Sequence, residues 1–195
     1  MRRLLASLLL LPALACLAED PPVPKDMPPK PPDAKEMEAL WTQLLEKEAF
    51  DAVRRLISCP EASVALMKDR LQPTRADEAE IAKRIVQLDD NDFQVREAAS
   101  KALAAMGALA APALRKAAQE SASPEVRTRA NALLEGLETA REYPAEILRT
   151  LRCVQVLEAI GTPGAREILE RLAAGAPEAP VTVEAKEALK RLEKP

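Results

Sequence analysis

The chain has 195 residues, with 28 Lys and Arg against 31 Asp and Glu, a formal net charge of −3 and no His. Without His, neither a Ser-His-Asp or Cys-His catalytic arrangement nor a His-ligated zinc or haem site can be built. The aromatics Trp41, Phe50, Phe93 and Tyr143 are too few for the stacking platforms that read single-stranded nucleic acids.

At the N-terminus, Arg2 and Arg3 precede an apolar run over 4–11 that Pro12 closes, followed by Ala13-Leu14-Ala15-Cys16. A positive start, a short apolar stretch and a small-residue exit predict a secretory signal peptide over 1–15. The run is too short for a permanent membrane span; the alternative is an ordinary N-terminal helix of a soluble protein. Ala13-Leu14-Ala15-Cys16 resembles a bacterial lipobox, in which Cys16 is acylated and becomes the new N-terminus. Cleavage after Ala15 or Ala18 without lipidation fits the same residues. Seven prolines within 21–32 predict an extended, unpacked linker over 16–36. Loss of 1–15 removes both early arginines and leaves a net charge of −5. Such an acidic, mixed-charge product is expected at the bacterial cell envelope, periplasmic or lipid-anchored. It touches a membrane only through Cys16 and binds no nucleic acid.

From Met37 to Pro195 the pattern is helical. Short apolar segments lie around 40–45, 53–57 and 64–71, and Ile81, Ala82, Ile85 and Val86 form the next stripe. Val95, Ala98, Ala99, Ala102, Leu103 and Met106 mark one face of a helix, as do Ala110, Ala113, Leu114 and Ala117. Further stripes run through Val126–Leu137, Leu148–Ile160, Ala165–Leu172 and Ala185–Leu192. Asp92, Ser123 and Thr162 are placed to cap helices, with Pro124 and Pro163 at first helical positions. Gly107, Gly161 and Gly175 follow apolar stripes, where a left-handed residue ends a helix. This spacing predicts about nine or ten helices and an all-α fold.

The helices repeat. Val95-Arg96 recurs as Val126-Arg127, 31 residues later, and the Met106-Gly107 corner recurs as Ile160-Gly161. Helix–turn–helix units at that period indicate an irregular α-solenoid. Asp90-Asn91-Asp92-Phe93-Gln94-Val95-Arg96-Glu97-Ala98-Ala99, with Gly107 and Ala113-Leu114 beyond, resembles a HEAT repeat of the short bacterial type. The resemblance implies a ladder between repeats formed by a loop Asp and the Arg after Val, positions matched by Asp90 and Arg96. Ser123-Pro124-Glu125-Val126-Arg127 matches the next repeat, with Ser121 where the loop Asp would stand. The order of features from Leu40 to Leu192 is also similar to a helical segment that follows WD40 propellers in large bacterial proteins, where it is an accessory scaffold.

Chemistry is sparse. Asp89-Asp90-Asn91-Asp92 lacks the Gly and Glu that a calcium loop places at its sixth and twelfth positions and reads as a turn with an N-cap. No nucleophile elbow, phosphate-binding glycine motif or distinguishable carboxylate pair occurs, so neither a catalytic residue nor a cofactor is expected. Cys59 and Cys153 read as small residues on apolar faces; a disulfide is the alternative in an oxidising compartment. Phe93 and Trp41 read as core residues stapling a helical layer, or, if exposed, as binding anchors. The expected function is a HEAT-like scaffold that holds a protein partner, with Asp90, Phe93, Arg96 and Arg127 as candidate partner-binding or inter-repeat residues. A spacer or assembly subunit without its own ligand is the alternative, and an enzyme with a carboxylate site is a third reading.

Overall fold

The structure is a computed structural model that describes residues 32–139 and 142–194. Residues 1–15, expected to be a signal peptide, Cys16 and most of the Pro-rich segment lie outside the described residues. The described residues are all-α: α1 (Ala34–Gln43), α2 (Phe50–Ile57), α3 (Pro60–Arg70), α4 (Glu78–Gln87), α5 (Phe93–Met106), a 3₁₀ turn (Gly107–Ala110), α6 (Ala111–Glu120), α7 (Pro124–Thr139), α8 (Ala145–Ile160), α9 (Pro163–Ala173) and α10 (Pro180–Glu193). The first helix opens slightly ahead of Met37, because the Asp33 carboxylate accepts the Glu36 N–H at 2.7 Å and starts it there.

Capping follows the sequence closely. Asp92 accepts the Gln94 N–H at 2.8 Å, Ser123 the Val126 N–H at 3.3 Å, and Thr162 the Ala165 N–H at 3.4 Å. Proline stands in the first turn of α3, α6, α9 and α10, where no N–H is needed. Gly107 and Gly161 have φ of 58° and 62°, so both end helices in a backbone that other residues resist. Gly175 is different: α9 ends at Ala174 with φ of −82°, and Gly175 has no positive φ. Its lack of a side chain answers crowding instead. A Cβ there would lie 2.5 Å from the Thr182 hydroxyl and 2.9 Å from the Thr74 carbonyl oxygen.

The buried residues form two cores. In the first, Leu44, Leu56 and Met67 from the first three helices meet Val154, Leu157, Leu169 and Ala185 from the last three. In the second, Leu88, Ala99, Leu103, Leu114 and Ala130 join α4, α5, α6 and α7. Packing therefore does not run helix by helix along the chain: α2 lies against α8 and α3 against α9, while the helices between pack on one another. α8 explains the first arrangement. Cys153, Val154, Val156 and Leu157 are all buried, which gives it apolar surface wider than one stripe. One side meets α2 and the other meets α9 and α10.

Arginines tie these elements together through backbone carbonyls. Arg152 on α8 donates to the carbonyls of Leu44 and Glu46 at 2.5 Å and of Lys47 at 3.1 Å, beyond the end of α1. Arg171 on α9 donates to Lys68 and, at 3.1 Å, to Leu71 at the end of α3. Arg166 reaches the Leu192 carbonyl at 3.0 Å, near the end of α10. A helix C-terminus leaves carbonyls without partners and carries partial negative charge, so a guanidinium satisfies it on both counts.

Both described cysteines are free thiols. Cys153 is buried and Cys59 half-buried at the start of α3. Burial pushes the Cys153 thiol up to about 12, against a smaller opposing pull from the nearby Arg149 charge.

Candidate partner-binding surface

The turn before α5 and the turn before α7 are built alike. In the first, Arg96 Nη1 donates to the carbonyls of Asp90 at 2.6 Å and Asn91 at 3.2 Å. In the second, Arg127 Nη1 donates to those of Ser121 at 2.6 Å and Ala122 at 3.1 Å. The Val-Arg recurrence in the sequence is thus the same hydrogen-bond geometry used twice. An Arg at the fourth residue of a helix reaches back over the helix start and fixes the turn that leads into it. Because the acceptors are backbone carbonyls, Ser121 serves as well as an Asp would.

The Asp90 side chain has a local role. Its carboxylate accepts the Asp92 N–H at 2.8 Å within its own turn. The turns are joined instead by Ser123, whose hydroxyl donates to the Asp89 carboxylate at 2.8 Å. Behind them, Arg129 on α7 pairs with Glu97 on α5 at 2.7 Å and with Glu125 at 2.6 Å. These two carboxylates hold the Arg129 guanidinium above its ordinary value, the Glu97 bond contributing most. Arg96 Nε stands 3.6 Å from the Glu125 carboxylate, an ion-pair distance, and has no hydrogen bond of its own. Asp90, Arg96 and Arg127 accordingly lie along one edge formed by two turns that are linked to each other.

Phe93 stands on this edge and is 55% exposed. The core reading of Phe93 is corrected here. As the first residue of α5 it lies about 120° round the helix from the buried Ala99 and about 80° from Leu103, at 100° per residue, and so stands off to one side of the buried stripe. The Arg96 guanidinium lies 5.6 Å from its ring centroid, within range of a cation–π contact. Phe50, the first residue of α2, repeats this placement at 70% exposure with Arg54 at 5.6 Å. Trp41 is partly buried against the first core, which agrees with its reading as a stapling residue.

The carbonyl-capping role of Arg152 and Arg171 carried no signal in the sequence, because an arginine that caps a distant helix looks like any other surface charge. Among the described residues, no group of three or more His, Cys, Asp or Glu side chains is placed to hold a metal ion, and no helix is long and apolar enough to cross a membrane. No family model, curated protein or solved structure matches the chain.

Proposed function

We propose that the chain is an exported scaffold, tethered at the bacterial cell envelope through a lipid on Cys16, and that it binds a protein partner along the edge carrying Asp90, Phe93, Arg96 and Arg127. The α4–α7 unit is read as two HEAT-like helix pairs of an irregular solenoid. The Arg96 and Arg127 turns, equivalent in geometry and 31 residues apart, support that reading. The role is binding without catalysis or a cofactor.

The observation that carries the proposal is the exposure of Phe93 on an edge whose turns are each fixed by an arginine and joined by Ser123 and Asp89. A single exposed ring is ordinary by itself; its place on this fixed edge is what singles it out. A ring beside an arginine on a rigid frame is the typical make-up of a binding anchor. Affinity capture from envelope extracts with the full chain and with Phe93→Ala tests this, together with mass measurement of the mature N-terminus. The expected result is a recurrent partner lost or depleted about tenfold with Phe93→Ala, and an acylated Cys16. A partner set unchanged by Phe93→Ala, with a free N-terminus beyond Cys16, would leave a soluble spacer and overturn the proposal.

A further inference from the structure

Away from that edge, Trp41 forms part of a groove of about 300 Å³ whose lining includes Arg70, Ile147, Arg149, Thr150 and Val181. This volume is at the lower end of small-ligand sites, roughly 300–1,000 Å³. Two guanidiniums lie over the indole, Arg70 at 5.1 Å and Arg149 at 4.5 Å from the ring centroid. Each has a carboxylate partner, Glu38 for Arg70 and Glu146 for Arg149. The partners are unequal in burial to the arginines they serve. The Arg149 side chain is 18% exposed, whereas that of Glu146 is 69% exposed. Glu146 pairs directly with Arg149 from one turn away on the same helix, but as a well-hydrated carboxylate it is free to turn into water at little cost.

A carboxylate entering the groove would meet the same guanidinium on its less exposed side, in a charge-assisted hydrogen bond. The two arginines and two glutamates already balance, so an entering carboxylate takes Arg149 by turning the exposed Glu146, which also lines the groove, out into water. Ile147, Val181 and the edge of the indole offer an apolar body a place to pack. We propose that this groove binds a small apolar carboxylate, with the anion paired to Arg149 and Arg70 and the hydrocarbon against Trp41, Ile147 and Val181. A fatty acid and the C-terminus of an apolar peptide share this chemistry.

Trp41 is the single tryptophan of the chain, so its emission and its indole N–H NMR signal report on the groove directly. The full chain is titrated with octanoate and octanamide, and with a leucine-ended tripeptide as free acid and as amide. The expected result is a saturable change with at least one acid and a response at least about tenfold weaker with its amide. Response to octanoate alone assigns a lipid-like acid, and response to the tripeptide acid alone assigns a chain terminus. Arg149→Gln weakens binding, and Glu146→Gln tightens it several-fold by removing the competing carboxylate. Because Glu146 is exposed, the second variant remains decisive if Arg149→Gln fails to fold. The proposal is overturned by no change at about 10 mM of either acid, where a site with Kd of about 1 mM is nearly saturated. Equal response to acid and amide, or weaker binding by Glu146→Gln, also overturns it.

Discussion

Arg152 shows how much a single side chain can hold in this protein. Its guanidinium serves three carbonyls at and beyond the end of α1 from a helix that is over 100 residues away in sequence. Hydrogen bonds to a charged group contribute about 1.5–3 kcal/mol each at most, and stranded carbonyls add to the loss. Arg152→Met keeps the aliphatic stem and removes the donors. It is expected to cost about 2 kcal/mol and to lower Tm by about 4–8 °C; an unchanged Tm in a thermal melt would show that the carbonyls are satisfied by water instead. Cys153 gives a pH dependence. Its folded-state value is raised from 9.0 to about 12 by burial, so the unfolded chain loses this proton first as pH rises. The contribution is fully present below pH 9 and is lost progressively between pH 9 and 12. Denaturant melts should show that loss in the native chain and its absence in Cys153→Ala, measured as the difference between each variant's stability at pH 8 and pH 10.5.

At the scale of elements, the sequence revealed the helices and left their partners undetermined. Asp92, Ser123 and Thr162 announced three helix starts because capping is local, and the same is true of Gly161 at a helix end. Gly175 was misread because its reason is the approach of Thr74 and Thr182, which no local pattern shows. Phe93 was misread for a related reason: an aromatic next to an N-cap can either staple the layer or face away from it, and only the position of the buried stripe decides. The breadth of α8 was visible in Cys153 and Val156 lying beside the stripe of Val154 and Leu157, but nothing in the chain said that α2 would cover it. The placement of α5 makes a sharp contrast. Phe93→Ala should change stability by less than about 0.5 kcal/mol, as exposed positions do. Leu103→Ala, at a fully buried position, should cost about 2–5 kcal/mol. Chemical denaturation of the two variants decides this, and a large loss with Phe93→Ala would return that ring to the core.

At the scale of the whole described unit, the two cores predict two levels of local stability. Leu157 belongs to one core and Leu114 to the other. In hydrogen exchange, Leu157→Ala should loosen α1–α3 and α8–α10 while α4–α7 keep their protection, and Leu114→Ala should do the reverse. Uniform loosening by either variant would mean that the cores unfold as one. Separate cores also fit the proposed division of labour, in which α4–α7 present a partner-binding edge and α1–α3 close against α8–α10 around the Trp41 groove.

The central claim is that the edge around Phe93 is where a partner sits in the cell. The most direct test replaces Phe93 with a photoreactive phenylalanine analogue in the full chain and irradiates living cells, with the same analogue at Val183, an exposed α10 position, as the control. One recurrent crosslinked envelope protein from position 93, absent from position 183 and diminished by Arg96→Ala, is the predicted result. Equal labelling from both positions, or no adduct from position 93, would contradict it.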